Sequence, residues 1–151
     1  MNFHRLKNIL SIILALIGLH SFSVGIGLMV MPDNFMSFFG FDPPFERFFS
    51  TQAGIFHIVL CVAYFLSAMN IDRYRHFILF TITAKFMATA FLIFYFVFVK
   101  NIWVVALSGI LDGLMGTVVW KIYTLYKQKL VYISEKKSTN TVKFNKPVII
   151  N

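Results

Sequence analysis

The stretch FILFTITAKFMATAFLIFYFVFV (residues 77–99) decides the fold of this chain. It is a long apolar run that contains a single charged side chain, Lys85. The hydrocarbon core of a bilayer is about 30 Å thick, and an α-helix needs about 20 apolar residues to cross it. The stretch therefore predicts a transmembrane helix with a lysine near its centre.

The composition of the whole chain supports the same conclusion. Of 151 residues, 58% are hydrophobic and 13% are charged, and 19 are phenylalanine. A soluble domain carries about 25% charged residues, which it needs to cover its surface. The composition therefore predicts an integral membrane protein. The single cysteine, Cys61, excludes an intramolecular disulfide and a cysteine-based zinc site.

Four segments are apolar and long enough to cross a membrane. They are residues 9–31, 51–69, 77–99 and 102–123. Short connections join them, so neighbouring segments run antiparallel. The sequence therefore predicts an all-α fold, a four-helix transmembrane bundle that occupies residues 1–127.

The basic residues predict the orientation of the bundle. Cytoplasmic loops of membrane proteins carry an excess of Lys and Arg. With both termini in the cytoplasm, only Arg47 and Lys100 lie outside, and the basic residues on the cytoplasmic side are Arg5, Lys7, Arg73, Arg75, Lys121, Lys127, Lys129, Lys136, Lys137, Lys143 and Lys146. We therefore expect a multi-pass membrane protein with both ends cytoplasmic. The net charge of +8 then serves membrane topology, and we expect no nucleic-acid partner.

The first outer loop (residues 32–50) has a helical pattern of its own. Gly40 and the prolines 43 and 44 divide two groups of aromatic residues with helical spacing, Phe35, Phe38 and Phe39 and then Phe45, Phe48 and Phe49. The pattern predicts two short interfacial helices. They would form either a lid packed on the helix ends or a gate for a lipid-like ligand.

The chain ends in a polar, lysine-rich segment, residues 128–151. Its residues show no apolar periodicity. We expect a largely disordered cytoplasmic tail whose basic residues lie near anionic lipid headgroups.

Lys85 needs a partner inside the membrane. A charge at the centre of a bilayer costs at least ~2.5 kcal/mol, so such residues face inward and pair with one another. Asp112 lies near the middle of the fourth segment, which is the antiparallel neighbour of the third. It shares a helix face with Gly109, Gly113 and Gly116, and small residues allow close packing. The sequence therefore predicts an ion pair between Lys85 and Asp112.

Three further polar residues extend this predicted interior. The second segment carries His57 with Gln52 beside it near the outer end, and the first carries His20. The simplest arrangement is a bundle with a polar core made of Lys85, Asp112, His57, Gln52 and His20.

Such a core has several chemical interpretations. It is either a purely structural ion pair that fixes helix register, or a site. As a site it would bind a quinone or a lipid headgroup through Gln52 and His57, or transfer protons. A haem between His20 and His57, a metal held by His20, His57 and Asp112, and a Schiff base on Lys85 carry weaker signals. We predict no obligatory cofactor, and no nucleotide-binding, zinc-protease or serine-hydrolase motif is present.

The layout resembles a known family. A basic-flanked first helix with LIGLHSFSVGIGLMVMPDNF (16–35) is followed by FSTQAGIFHIVLCVAYFLSA (49–68) and by two closely connected helices, the last with GILDGLMG (109–116). This is similar to the DoxX-like group of small bacterial four-helix membrane proteins. The resemblance covers residues 5–126 and rests on layout and glycine placement.

The resemblance implies a bundle in the bacterial inner membrane. Some members of the group are regarded as small subunits of quinone-linked sulfur oxidation or as partners in redox complexes, and most have no assigned activity. It assigns no role to Lys85, Asp112, Gln52 or His57.

The sequence as a whole favours a binding function in the membrane. We expect a small integral membrane protein that binds an apolar ligand, lipid or quinone, or a partner subunit through its polar-cored bundle. A subunit of a membrane redox enzyme that acts on quinone or lipid, and a proton-coupled carrier, are the alternatives. The expected partners are membrane lipids, another membrane subunit or further copies of the chain.

Overall fold

The computed structural model describes residues 3–41 and 47–144, and within these ranges the protein is helical with no strand. The helices are α1 (Phe3–Val30), α2 (Asp33–Phe38), α3 (Arg47–Met69), α4 (Arg75–Phe98) and α5 (Trp103–Phe144). The four long ones, α1, α3, α4 and α5, are each long and apolar enough to cross a membrane. The all-α prediction is therefore confirmed, and the chain has the architecture of a multi-pass membrane protein.

Two helical hairpins build the molecule. Helix α1 packs closely along α3, and α4 packs closely along α5, while looser contacts between α1 and α5 and between α3 and α4 join the two hairpins. Each long helix therefore contacts two others, as in a four-helix bundle. Large apolar side chains remain exposed on every long helix, for example Leu16 (59%), Phe56 (59%) and Phe91 (63%). Such faces suit contact with lipid.

Glycines bring the helices of each hairpin close together. A Cβ atom on Gly25 of α1 would lie 2.8 Å from the backbone oxygen of Gly54 in α3, which is closer than atoms can approach. In the second hairpin, a Cβ atom on Gly116 would lie 3.1 Å from the Cβ of Lys85. Small residues let membrane helices approach at backbone distance, which strengthens dispersion contacts where water provides no hydrophobic driving force.

The shared apolar core lies at one end of the bundle. We call the end with the start of α1 and the α3–α4 connection the inner end, and the end with α2 the outer end. The buried cluster draws on all four long helices and the α3–α4 connection, and consists of Leu10, Leu14, Ile17, Tyr64, Ile71, Ile78, Val119, Tyr123 and Tyr126. Every member lies in the inner half or close to the middle of its helix. The two hairpins are therefore joined mainly through their inner halves.

The outer half of the bundle is packed differently. The buried residues of α4 are Ile78, Thr81 and Lys85, and none follows Lys85 as the helix continues to Phe98. The residues of α4 that lie one to three turns beyond Lys85 on its face are only half-buried. Lys85 therefore marks the level at which the common core ends.

Helix α5 is longer than the sequence predicted. The expected end was near residue 123 and the expected tail was largely disordered from residue 128, but α5 continues to Phe144. The sequence from Thr117 to Phe144 contains neither Gly nor Pro, and its Lys, Gln, Leu and Glu residues favour helix. Loss of hydropathy marks where a membrane segment ends, but not where the helix ends. Residues 145–151 of the expected tail lie outside the described residues.

The described part of the outer loop contains one short helix, α2, where the sequence predicted two in the whole loop. Helix α2 includes Phe35 and Phe38, as expected, and Phe38 and Phe39 lie against Trp103 at the start of α5. The second aromatic group does not form a separate helix within the described residues, because Phe48 and Phe49 belong to the first turn of α3. Phe45 lies outside the described residues.

Candidate functional site

A buried ion pair lies at the centre of the α4–α5 hairpin. The Nζ atom of Lys85 lies 2.5 Å from Oδ1 of Asp112, and the two side chains are 5% and 13% exposed. The contact follows from the glycines of α5, because Gly113 packs on Thr89 and Gly116 on Lys85, which places Asp112 beside the lysine. The predicted pairing is confirmed.

The threonines near Lys85 on α4 use their hydroxyl groups for hydrogen bonds within their own helix. The hydroxyl of Thr81 donates to the carbonyl of Phe77, and that of Thr89 donates to the carbonyl of Lys85. Both hydroxyl groups thus bond one turn back along their own helix, as Ser and Thr commonly do in helices. Asp112 is therefore the hydrogen-bond acceptor of the Lys85 ammonium group.

A third helix contributes Tyr64 to the site. This side chain of α3 is 1% exposed, and the Lys85 Nζ atom lies 5.9 Å from the centre of its ring. An ammonium group at this distance over an aromatic ring is within cation–π range. The helical spacing of Tyr64 from His57 and Cys61 predicts all three on one face of α3, but Tyr64 was not among the predicted site residues.

His57 lies further toward the outer end on the same face of α3. It is half-buried, and its Nδ1 atom lies 3.2 Å from the hydroxyl oxygen of Ser21 in α1. The same hydroxyl donates to the backbone oxygen of His57 at 3.0 Å. Ser21 is 1% exposed, so this serine fixes the position of the imidazole relative to α1.

The structure does not bring His20 and Gln52 into the core. Both side chains are exposed, which contradicts the prediction of a five-residue polar interior. Successive residues of a helix are 100° apart around its axis, so Ser21 faces α3 where its neighbour His20 does not. Likewise the buried positions of α3 include Ser50 and Gly54, and Gln52 lies between them on the other side of the helix. Of the five predicted residues, the cluster retains Lys85, Asp112 and His57.

The metal site that the sequence allowed is not formed. Among the described residues, no group of three His, Cys, Asp or Glu side chains is arranged to hold a metal ion. His20 is exposed, whereas His57 is half-buried and its Nδ1 atom lies next to the hydroxyl oxygen of Ser21.

A second polar cluster lies at the inner end. Asp72, in the α3–α4 connection, accepts from Lys7 of α1 at 2.6 Å and from the hydroxyl of Tyr126 in α5. The ring of Phe3 stacks on Tyr126 at 5.1 Å. We call Lys7, Asp72 and Tyr126 the clasp. It joins three separate parts of the chain, and no sequence spacing predicted it.

Surface depressions lie away from the ion pair. Two of them, of about 450 and 400 Å³, lie along α5 near the inner end. They are lined by Thr124, Lys127, Gln128 and Val131 and by Leu6, Leu125, Gln128, Lys129 and Tyr132.

Comparison with known proteins adds no closer assignment. No protein-family model, curated protein or solved structure matches the chain. The fold and the site define a class by themselves: a small multi-pass membrane protein with a buried ion pair between two adjacent helices and a half-buried histidine on its outer side. The DoxX-like resemblance stays a prediction.

Proposed function

We propose that this protein binds an apolar membrane ligand, a lipid or a quinone, between its two hairpins, with the ligand headgroup at Lys85, Asp112 and His57. The observation that carries the proposal is the position of the ion pair. It lies at the level where the shared apolar core of the hairpins ends. A purely structural pair gains nothing from that position, whereas a ligand tail in the outer half would reach polar groups there.

The burial of the cluster supports this interpretation. The Asp112 side chain is 13% exposed, and His57 is half-buried on the outer side of the pair. Ionisable groups inside a membrane are costly and usually mark a functional path. The apolar outer halves of α1, α3 and α4 are suitable walls for an acyl or isoprenoid chain.

Copurification of ligand tests the proposal. We expect purified protein to retain a lipid or quinone that organic extraction and mass spectrometry identify. The double variant Lys85→Met, Asp112→Leu removes the charges together and should lose that ligand while it stays folded. The matched control is Arg47→Met, Asp33→Leu, which removes an exposed ion pair at the outer end. Retention of the same ligand by both double variants contradicts the proposal.

We also propose the orientation and location that the charges favour. The clasp places the start of α1, the α3–α4 connection and the middle of α5 at one end, which supports an even number of crossings. Most basic residues lie at this inner end, so the inner end is cytoplasmic and α2 lies at the opposite membrane surface. The DoxX-like resemblance makes the membrane the bacterial inner membrane.

Cysteine labelling tests the orientation. In a Cys61→Ser background, Ser37→Cys in α2 and Ser134→Cys in α5 each introduce one exposed thiol. A membrane-impermeant maleimide applied to intact spheroplasts should label the cysteine at position 37 and not that at 134. The reverse pattern would overturn the proposed orientation.

A further inference from the structure

One of the two depressions at the inner end is lined by both α1 and α5. It has a volume of about 400 Å³, we call it the inner groove, and its lining residues are Leu6, Leu125, Gln128, Lys129 and Tyr132. We infer that the inner groove binds an anionic phospholipid, with the phosphate at Lys129 and the start of an acyl chain against Leu6 and Leu125. The groove is separate from the ion pair and does not depend on the function proposed there.

The lining of the inner groove changes from apolar to polar along α5. Leu125 lies nearest the centre of the membrane, Gln128 and Lys129 follow about one turn later, and Tyr132 lies about one turn further. The amide of Gln128, the ammonium group of Lys129 and the hydroxyl of Tyr132 can each donate a hydrogen bond to a phosphate. A phospholipid in a leaflet has the same order, with its chains toward the membrane centre and its phosphate toward water.

The clasp shows that the inner groove lies at the level of the lipid headgroups. Lys7 and Asp72 pair there with side chains 36% and 52% exposed, and exposed charges are too costly to lie within the hydrocarbon core. Tyr126, the clasp residue of α5, follows Leu125 directly and precedes Lys129 by three residues, about 4.5 Å along the helix axis. The headgroup layer is about 5–8 Å thick on each side of a bilayer. Lys129 therefore lies within reach of lipid phosphates.

Lys129 makes the inner groove positive. Its side chain is half-buried and, within the described residues, takes part in no ion pair. None of the residues that line the groove is acidic. Asp72 already accepts from Lys7 and Tyr126, and Glu135 lies six residues beyond Lys129, about 9 Å along the axis. The groove therefore complements an anionic headgroup, whereas a zwitterionic headgroup would bring a cation of its own.

The other depression at the inner end differs in its walls and in its lysine. It is lined by α5 residues alone within the described part of the chain, namely Thr124, Lys127, Gln128 and Val131. The ammonium group of Lys127 lies 6.0 Å from the centre of the Tyr123 ring, within cation–π range. Lys127 thus has an aromatic partner in its own helix and serves as a control at nearly the same depth as Lys129.

Two matched phospholipids test the inference in nanodiscs. Dioleoyl phosphatidylglycerol and dioleoyl phosphatidylcholine have identical chains and differ in the group beyond the phosphate, so that only the first has a net negative charge. Native mass spectrometry measures how much of each the protein retains when both are present in equal amounts. We expect the protein to retain phosphatidylglycerol in preference to phosphatidylcholine. Equal retention of the two lipids would overturn the inference.

Three lysine variants test the assigned residue. Lys129→Gln should reduce the preference about fivefold, the effect of one lysine near an anionic membrane surface. Lys127→Gln, at nearly the same depth on another side of α5, and Lys136→Gln, about two turns further from the membrane on the side of Lys129, remove the same charge. Each of these two controls should change the preference less than about twofold. None of the three side chains is buried, so thermal unfolding should be unchanged in all three variants.

Glycerol 3-phosphate distinguishes a lipid from a free phosphate. It carries the phosphate group without acyl chains, so it gains nothing from contact with Leu6 and Leu125. A millimolar excess should therefore leave the retained phosphatidylglycerol in place. Displacement of the lipid would overturn the inference, because the groove would then bind a free phosphate.

The variants also separate the inner groove from other causes of lipid retention. Equal losses for Lys127→Gln and Lys129→Gln would overturn the inference in favour of a general attraction between basic residues and the membrane surface. The double variant Lys85→Met, Asp112→Leu leaves the groove unchanged and should keep the preference for phosphatidylglycerol. Loss of the preference in this double variant would show that the lipid binds at the ion pair and would overturn the separate site.

Discussion

At the scale of single residues, Lys85 and Asp112 decide how the bundle is organised. An isolated ammonium group at mid-membrane is unfavourable, and the aspartate 2.5 Å away compensates for it. The two residues come from sequential helices, so their attraction also fixes the register of α4 against α5. Tyr64 connects this pair to the first hairpin.

The ion pair makes a quantitative prediction. Lys85→Met alone and Asp112→Leu alone should each lower the free energy of unfolding by about 3–5 kcal/mol, because each leaves a buried charge without its partner. The double variant should recover most of this loss. Reversible unfolding in mixed detergent micelles measures the three values.

The exposed pair Arg47–Asp33 is the control for this cycle. Its side chains are 55% and 59% exposed, so removal of either one should cost less than about 1 kcal/mol. Strictly additive losses for Lys85 and Asp112 would show that the two charges do not interact.

The sequence predicts this pair but not its surroundings, for a physical reason. Lys85 and Asp112 stand near the centres of adjacent spans, and depth alone is enough to bring them together. The contact of His57 with Ser21, and the exposure of His20, depend on the rotation of α1 about its axis. Helix α1 carries apolar residues on all of its sides, so its sequence does not show which side faces α3.

At the scale of the helices, backbone contact at two glycines defines the first hairpin. Gly25 and Gly54 are each other's nearest neighbours, and a Cβ atom on either would come within 3 Å of the other's carbonyl oxygen. Gly27, two residues along α1, meets only the side-chain end of Met31 at 3.7 Å. Gly25 and Gly27 of α1 therefore form a matched pair for substitution, one in tight contact and one with space around it.

Alanine substitutions at Gly25 and Gly27 should differ clearly in their effect on the free energy of unfolding. Gly25→Ala forces α1 and α3 apart and should lower the free energy of unfolding by about 1–3 kcal/mol. Gly27→Ala has room and should stay within about 0.5 kcal/mol of the wild type. Thermal unfolding followed by tryptophan fluorescence measures both. Equal effects would show that α1 and α3 do not meet at Gly25.

The positions of the helices were predicted better than their ends and their partners. Hydropathy identified each of the four spans, because lipid imposes a minimum apolar length. Hydropathy could not show which faces of the helices contact one another, since the lipid-facing and protein-facing sides are both apolar. Hydropathy therefore predicted neither the Gly25–Gly54 contact nor the extension of α5 to Phe144.

At the scale of the whole molecule, the clasp closes the inner end. It joins α1, the α3–α4 connection and α5 beside the apolar cluster that the two hairpins share. Hydrogen bonds from Lys7 and then from Tyr126 hold the pKa of the Asp72 carboxyl below its ordinary value of 3.8. The carboxylate therefore stabilises the folded bundle in its charged form.

Acid should release the clasp. A carboxyl with a lowered pKa in the folded state contributes stability above its unfolded pKa, and that contribution is lost as the pH falls through the folded value. The stability of the wild type relative to Asp72→Asn should be constant near neutral pH and should decline below pH 3.8. Thermal unfolding over a pH series measures the difference.

Lys7→Met is the control for the acid effect. It removes the largest cause of the lowered pKa of Asp72, so the decline should be smaller and should end closer to the ordinary value. A difference between the wild type and Asp72→Asn that does not vary with pH would show that the clasp makes no contribution through this carboxylate.

The length of α5 has a mechanical consequence. Its 42 residues span about 63 Å, roughly twice the thickness of the hydrocarbon core. No glycine or proline follows Gly116 within the helix, so nothing between Gly116 and Phe144 acts as a joint. A change in the tilt of this rod at the ion pair would swing its far end, about 48 Å away, through a wide arc. Binding of a ligand at the ion pair would thus displace the far end of α5, and a protein in the aqueous compartment can sense that displacement.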